Sequence, residues 1–298
     1  MGNRIKVGII GPGNIGTDLM YKVMRSRFLE MSVMIGIDPN SPGLKRAAGL
    51  GFQTSSDGIE YLVQHPDLAE IVFDATTAKA HLHVNAPTLA RLGKIAIDLT
   101  PAAVGKIATP MVNMKDCLNE KNVNLITCGG QATTPIVYAI SRAVPLEYAE
   151  VVTTVASDSA GPGTRANIDE YTRTTAEALR LLGGADRAKV MTIFNPAKPQ
   201  MPMRNTIFGI PKTWDFRIED VCASVREMVD RIREYVPGYQ LTVPPVIDRG
   251  IITTTVTVEG QGDFLPKYAG NLDIETSSAV KMAEMFAEKL LRERGELA

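Results

Sequence analysis

Short hydrophobic runs recur through the first half of the chain, with amphipathic stretches between them. The runs are rich in Val and Ile and do not alternate with polar residues, as expected for strands buried on both faces of a sheet. They lie at Ile5–Ile10, Val33–Ile37, Ile71–Asp74, Ile95–Leu99 and Asn124–Thr127. Between two of them, His81–Leu92 predicts a helix that ends at Gly93. Strands alternating with helices predict an α/β fold with a doubly wound parallel sheet.

The second half of the chain follows a different pattern. Hydrophobic residues in Arg217–Val236 keep the spacing of an amphipathic helix, and a last helix is predicted over Thr276–Arg294. Four further strands are predicted at Glu150–Ala156, Val190–Asn195, Asn205–Gly209 and Ile251–Glu259. The last strand alternates Thr with Ile or Val, which is typical of an antiparallel strand with one buried face. We therefore expect an α/β domain of residues 1–131 plus about 272–298, and an α+β domain of residues 132–271.

Composition narrows the class of protein. The 298 residues are enough for about two domains of ~150 residues each, and they can bury a core without disulfides. Lys plus Arg number 32 and Asp plus Glu number 33, so the net charge of −1 argues against a nucleic-acid binder. No hydrophobic run reaches the ~18–20 residues of a membrane span, and the first residues predict a strand rather than a signal peptide. With only three cysteines, we expect a reduced, cytoplasmic protein.

The first chemical motif is a glycine-rich turn after the first predicted strand. Its residues are Gly11, Pro12, Gly13, Asn14, Ile15 and Gly16, which match G-x-G-x-x-G at the start of a helix. This spacing predicts a dinucleotide site, with the pyrophosphate at the helix N-terminus. Asp38, 22 residues after Gly16, can accept a hydrogen bond from the ribose and favours NAD. Nearby Lys45 and Arg46 keep NADP possible, and the alternative is an ordinary turn with a surface Asp.

The second motif places Cys128 between a predicted strand and a helix that is expected to begin near Thr133. Pro135 suits the first turn of that helix. A thiol at a helix N-terminus feels the positive end of the helix dipole, so we expect the pKa of Cys128 to be lowered. Cys222 lies on the hydrophobic stripe of its helix and Cys117 on a predicted surface helix, and neither has such a context.

A nucleophilic thiol beside a nicotinamide suggests aldehyde oxidation. The thiolate adds to the aldehyde, hydride leaves to NAD+, and the resulting thioester passes its acyl group to water, phosphate or another thiol. The only histidines, His65, His81 and His83, precede Cys128. His81 and His83 are expected to be solvated or capping residues, so the general base is not identified.

A third motif is the Gly-Pro loop that follows the predicted strand Glu150–Ala156. It leads into a helix predicted over Ile168–Leu182. Small residues at a helix N-terminus can form an anion-binding cradle, although ordinary loops share this composition.

At these motifs the sequence resembles the acylating acetaldehyde dehydrogenases of aromatic and steroid degradation. The likeness covers essentially the whole chain and rests on Gly-Pro-Gly-Asn-Ile-Gly-Thr-Asp-Leu, Thr-Cys-Gly-Gly-Gln-Ala-Thr, Ser-Ala-Gly-Pro-Gly-Thr-Arg-Ala-Asn-Ile-Asp-Glu and Tyr-Ala-Gly-Asn-Leu-Asp-Ile. It implies a Rossmann-type domain and a dimerisation domain like that of glyceraldehyde-3-phosphate dehydrogenase. It also implies oxidation of acetaldehyde or propionaldehyde to the acyl-CoA, with NAD+ and coenzyme A.

The resemblance assigns roles to individual residues. Cys128 is implied as the acyl-thioester nucleophile, and Asn271 as a partner of the nicotinamide carboxamide. The implied NAD-binding loop consists of Ser159, Ala160, Gly161, Pro162, Gly163, Thr164, Arg165, Ala166 and Asn167, in addition to the glycine-rich turn. Asn205 stands where relatives often have Asp, and an amide cannot act as a base.

The resemblance also implies partners, and two alternatives remain open. Members of the family work with 4-hydroxy-2-oxovalerate aldolase, which passes them the aldehyde through a channel. A homodimer within a larger hetero-oligomer is therefore expected, consistent with the half-buried pattern of Ile251–Glu259. The alternatives are a phosphorylating semialdehyde dehydrogenase, which the lack of a later His disfavours, and a non-catalytic NAD-binding subunit.

Overall fold

The computed structural model describes residues 3–102, 104–161, 165 and 167–297. It contains two compact units. The first unit comprises Met1–Pro110, Met114–Leu125 and Thr276–Ala298, and the second comprises Met111–Asn113 and Ile126–Glu275. The two units divide at Leu125/Ile126 and at Glu275/Thr276. The domain boundaries expected near 131 and 272 stay a prediction.

A seven-stranded parallel sheet forms the first unit. Its strands are β1 (Ile5–Ile10), β2 (Leu29–Ile35), β3 (Gln53–Ser55), β4 (Ile71–Asp74), β5 (Ile95–Asp98), β6 (Lys106–Ile107) and β7 (Asn122–Asn124). Their spatial order is β3-β2-β1-β4-β5-β7-β6, and every neighbouring pair is parallel. The order reverses beside β1, which is where ligands bind in sheets of this kind.

Helices cover both faces of this sheet. They are α1 (Asn14–Met24), α2 (Pro42–Gly49), α3 (Glu60–Gln64), α4 (Ala78–Ala80), α5 (Ala86–Arg91) and α6 (Met114–Cys117). One face of β1 buries Ile5, Val7 and Ile9 in one hydrophobic cluster, while Ile10 belongs to another cluster. The sequence pattern of unbroken hydrophobic strands is thus explained by burial on both sides.

The second unit is an α+β arrangement around a five-stranded mixed sheet. Its helices are α7 (Cys128–Ala143), α8 (Ile168–Leu181) and α9 (Ile218–Arg233), and a long helix α10 (Gly270–Glu293) begins in this unit and ends in the first. Its strands are β8 (Leu146–Ala156), β9 (Ala185–Asn195), β10 (Met203–Pro211), β11 (Tyr239–Asp248) and β12 (Ile251–Val258), in the order β11-β12-β10-β8-β9. The predicted fold class, α/β with an α+β second part, is confirmed.

Several element boundaries differ from the predictions. Strand β11 is absent from the sequence prediction because it contains Pro244 and Pro245, which normally disfavour strands. It lies at the edge of its sheet, where proline is tolerated. The helix expected over His81–Leu92 begins at Ala78 and contains a π-helical turn at His81–Asn85.

Within the described residues, no helix is long and hydrophobic enough to cross a membrane.

Candidate functional site

The glycine-rich turn of the first unit has the geometry that its sequence predicts. Gly11 ends β1 with φ of 102°, a backbone conformation that favours glycine. A Cβ at Gly16 would collide with the carbonyl oxygen of Gly11, so only glycine lets α1 begin this close to the strand. These two glycines are therefore required by the fold itself.

Gly13 has a different environment. Among the residues that the structure describes, no atom would lie within 4 Å of a Cβ at this position, and no side chain caps the helix α1 that follows it. The fold does not require a glycine here, whereas a pyrophosphate approaching the helix N–H groups would need the space. The turn therefore fits a dinucleotide. Asp38, in the exposed loop after β2, accepts a hydrogen bond from the Asn40 N–H at 2.9 Å.

Cys128 is the first residue of helix α7 in the second unit. The helix begins five residues earlier than expected near Thr133, and Pro135 consequently lies inside it rather than in its first turn. Gly129 and Gly130 belong to the helix rather than to a turn before it. The preceding Ile126 has φ of 67°, which is unusual for a β-branched residue and marks backbone strain just before the cysteine.

The Cys128 sulfur contacts the hydroxyl of Tyr171, a residue of helix α8. The distance from Sγ to Oη is 3.5 Å, and the Gly129 N–H donates to the same Oη at 2.9 Å. A Cβ at Gly129 would collide with this hydroxyl, so glycine is needed for Tyr171 to approach. The sequence interpretation missed Tyr171, because the residues around it carry no sign of a contact with a cysteine 43 positions earlier in the chain.

Two threonines fix the positions of these groups. Thr127 caps α7, since its Oγ1 accepts from the Gly130 N–H at 2.9 Å. Its Oγ1 also lies 2.6 Å from Thr175 Oγ1, which donates to the Tyr171 carbonyl at 2.7 Å. The N-terminus of α7 is thereby joined to the helix that presents Tyr171.

The expectation of a lowered thiol pKa is wrong for this structure. Burial, and then the charge of Glu275, raises the pKa of the Cys128 thiol to about 12. Hydrogen bonds from Tyr171 and Gly129 lower it, but by less. The helix N-terminus does not dominate because the surrounding protein disfavours the charged thiolate.

Asn205 lies on the core-facing side of strand β10 and is fully buried. Its Oδ1 accepts from Thr153 Oγ1 at 2.8 Å, whereas its Nδ2 has no hydrogen-bond partner among the described residues. A Cβ on Gly129 would lie 3.4 Å from that same Thr153 hydroxyl, which places Asn205 near the start of α7. Asn205 thus offers an unused N–H donor in this region.

The structure describes part of the predicted NAD-binding loop. Pro162, Gly163, Thr164 and Ala166 lie outside the described residues. Arg165 folds back on the loop, donating to the Ser157 and Ala160 carbonyls at 2.9 and 3.1 Å. The buried Asn271 donates from Nδ2 to the Ser159 carbonyl at 3.3 Å, and its Oδ1 has no partner among the described residues. This unpaired acceptor suits a carboxamide N–H.

His81 is buried, which contradicts the expectation of a solvated or capping residue. Its Nδ1 lies 2.8 Å from Asp74 Oδ2, and its Nε2 lies 3.4 Å from Asp98 Oδ2. Burial lowers the pKa of His81, but the hydrogen bond that its ring donates to Asp74 and the charges of Asp98 and Asp74 outweigh it, so the pKa is raised. Both carboxylates end buried strands, and His81 is the first residue of the π-helical turn. No group of three or more His, Cys, Asp or Glu side chains in the described part of the chain could hold a metal ion.

The fold defines the class of protein. A crystal structure of aspartate semialdehyde dehydrogenase II from Vibrio cholerae, complexed with ASA, has the same fold, with a TM-score of 0.63. At 15% identity the alignment covers 98% of this chain and 99% of that one. The two chains therefore share a fold, and in this chain Cys128 stands at the start of the first helix of the second unit.

Sequence comparisons identify the family. A model described as the dimerisation domain of prokaryotic acetaldehyde dehydrogenase matches residues 128–266. The acetaldehyde dehydrogenase of Carboxydothermus hydrogenoformans is 55% identical over 98% of this chain and 97% of its own length. The propanal dehydrogenase (CoA-propanoylating) of Mycobacterium bovis is 51% identical over 98% of both chains. The chain belongs to the acylating acetaldehyde dehydrogenase family, and the predicted resemblance is confirmed.

Proposed function

We propose that this protein oxidises acetaldehyde or propionaldehyde with NAD+ and coenzyme A, giving NADH and the acyl-CoA. The observation that supports this most directly is Cys128, a partly accessible thiol held by Tyr171 at a strained strand-to-helix turn. A cysteine nucleophile that forms a thioester also fits the acylating dehydrogenase family to which the chain belongs.

The proposed reaction proceeds through Cys128 in balanced steps. Its thiol loses a proton, and the sulfur bonds to the aldehyde carbon while the carbonyl oxygen takes an electron pair and a proton. Bound NAD+ supplies the acceptor for the hydride of that carbon. Loss of the hydride and of the hydroxyl proton leaves a thioester on Cys128. The thiol of coenzyme A then takes the acyl group and returns a proton to the cysteine.

The residues that would bind NAD+ are part of the same proposal. Gly11–Gly16 would hold the pyrophosphate and Asp38 the ribose, because these positions offer open N–H groups and an exposed carboxylate. Asn271 would pair with the nicotinamide carboxamide through its Oδ1, which has no hydrogen-bond partner among the described residues. In the loop Ser159–Asn167, the Arg165 guanidinium already donates to the Ala160 and Ser157 carbonyls, so we do not assign it a contact with the cofactor.

The first experiment is an NADH absorbance assay with acetaldehyde and NAD+, with and without coenzyme A. We expect turnover that requires coenzyme A and is lost in Cys128→Ala. Cys222→Ser is the control, because Cys222 donates to the Pro245 carbonyl at 3.3 Å and is not part of the Cys128 contacts. Undiminished turnover in Cys128→Ala would rule out this mechanism, and turnover with phosphate in place of coenzyme A would support the phosphorylating alternative.

Partners form a second part of the proposal. The chain would pair as a homodimer through the face of the second sheet opposite its helices, where Met191, Ile193 and Ile210 are 39%, 48% and 37% exposed. It would also bind 4-hydroxy-2-oxovalerate aldolase in the cytoplasm, where its three free cysteines stay reduced. Light scattering tests the dimer, since a single species at the 32.3 kDa of one chain would contradict it. The NADH assay should be repeated with the aldolase before inactivity is accepted.

A further inference from the structure

We propose that Tyr171 is a catalytic residue, whose hydroxyl donates a hydrogen bond to the Cys128 sulfur whenever that sulfur is a thiolate. This happens when the thiolate attacks the aldehyde and again when it leaves the thioester. The proposal rests on the thioester chemistry proposed above.

The hydrogen-bond directions around Tyr171 support this role. The Gly129 N–H donates to Oη at 2.9 Å and occupies one acceptor position of the hydroxyl. The Gly129 contact does not use the phenolic proton, and Sγ lies 3.5 Å from Oη. A thiol can either donate or accept at this contact, but a thiolate can only accept. Once the cysteine is deprotonated, Tyr171 is therefore the donor.

The environment keeps the phenol protonated. Burial raises the pKa of Tyr171 well above its usual value, and the charge of a Cys128 thiolate raises it further. The negative charge of Glu275 also acts on Cys128, and it opposes formation of the thiolate. Tyr171 is thus a donor that offsets part of the penalty that burial and Glu275 impose on the thiolate.

The geometry of the contact is fixed rather than incidental. Gly129 lacks the Cβ that would displace the hydroxyl, and Thr175 holds the Tyr171 backbone carbonyl at 2.7 Å. In acyl transfer, the coenzyme A thiolate bonds to the acyl carbon and the bond from that carbon to Sγ breaks. The electron pair goes to Sγ, where the Tyr171 hydrogen bond stabilises it, and Tyr171 keeps its own proton throughout.

A second tyrosine in the same unit provides a matched control. Tyr239 is buried like Tyr171, and its hydroxyl donates to the carbonyl of Ala132, on the same helix as Cys128, at 2.6 Å. Tyr239→Phe removes a buried hydroxyl that contacts α7, and it leaves the contacts of the Cys128 thiol in place.

The experiment compares Tyr171→Phe with Tyr239→Phe in a Cys222→Ser background. Iodoacetamide labelling of Cys128 is followed by mass spectrometry across pH, together with the ultraviolet absorbance of the thiolate. We expect Tyr171→Phe to leave about tenfold less thiolate at a given pH, as for the loss of one charge-assisted hydrogen bond. The labelling rate should fall only about threefold, because a thiolate of higher pKa is more nucleophilic. Tyr239→Phe should match the parent.

Replacing Tyr171 with difluorotyrosine gives the opposite change and keeps the acceptor for Gly129. Its more acidic hydroxyl should increase the thiolate fraction, and this variant decides the question if Tyr171→Phe does not fold. Unchanged or faster labelling in folded Tyr171→Phe, or an unchanged thiolate fraction with difluorotyrosine, would overturn the proposal. Failure of the parent to make NADH with coenzyme A and the aldolase would instead refute the proposed function, while the labelling result would still stand.

Discussion

A first turn at Gly11–Gly13 and a second turn at Leu125–Thr127 both lead the chain into a helix, but the two helices, α1 and α7, use their N-terminal N–H groups differently. In the first turn the positive φ falls on a glycine, no side chain caps the helix, and a Cβ at Gly13 would meet open space. In the second turn the positive φ falls on Ile126, and Thr127 and Tyr171 accept from the first N–H groups.

This difference explains why the two helix N-termini differ in how well they stabilise a negative charge. An uncapped helix N-terminus keeps N–H groups for an external anion, as a dinucleotide phosphate requires. The capped N-terminus of α7 already has protein partners and is densely packed, so burial outweighs the dipole and the pKa of Cys128 rises. A strand-to-helix turn with glycines therefore does not by itself predict a stabilised anion.

The largest effect that tests this comparison is expected from Gly16→Ala. Its Cβ would collide with a backbone oxygen that cannot move aside, so we expect the free energy of unfolding to fall by about 3 kcal/mol or more. Thermal and urea unfolding would measure this change.

Gly13→Ala is the matched control for that substitution. We expect its stability to match the parent, because its Cβ meets no protein atom, while NAD+ binding weakens about tenfold in calorimetry. If Gly13→Ala bound NAD+ normally, the open space at Gly13 would not serve the pyrophosphate.

A smaller effect is expected at the cap of the second turn. Thr127→Ala removes the acceptor for the Gly130 N–H and the bond to Thr175, so we expect a loss of about 1 kcal/mol in stability. Thr127→Ser keeps the hydroxyl and should lose less. Equal losses in the two variants would mean that the methyl group, rather than the cap, stabilises this turn. Helix α1 has no side-chain cap with which to make the same test.

Local signals account for what the sequence predicted well. Strands β1 and β4 have the predicted bounds, and the glycine turn could be predicted because its constraints lie within six neighbouring residues. The start of α7 was misplaced because Gly129 and Gly130 are typical of a turn in sequence. Their real function is to admit Tyr171, which lies far along the chain, and no local pattern reports that contact.

The same reasoning applies to His81. A histidine near the start of a predicted helix is usually exposed, but this residue, the first of a π-helical turn, is buried against Asp74 and Asp98. Both carboxylates end strands of the parallel sheet, so their proximity follows from the strand order and not from the sequence around the histidine. The polar cluster could be found only in the fold.

The last comparison is between two buried titratable groups, His81 in the first unit and Cys128 in the second. They lose their protons at different pH, and we expect this difference to have the smallest effect on stability. The pKa of His81 is raised in the folded protein, so the folded state binds its proton more tightly than the unfolded chain, in which the pKa is about 6.5. The stabilisation from this proton is complete below about pH 6.5 and is lost as the pH rises through the folded pKa. We therefore expect the free energy of unfolding to fall on going from pH 6 to pH 9.

His81→Gln should remove most of that slope, and His83→Gln is the control, because His83 lies on the same turn but is exposed. The Cys128 thiol stays protonated in the folded protein, where its pKa is about 12, and in the unfolded chain until the pH nears the ordinary thiol pKa of about 8.5, so Cys128→Ser should keep the slope of the parent between pH 6 and about pH 8. A slope that persists in His81→Gln, or that disappears in Cys128→Ser, would show that the titrating charge lies elsewhere. In that case the buried contacts of His81 with the two carboxylates would be bonds of a neutral imidazole.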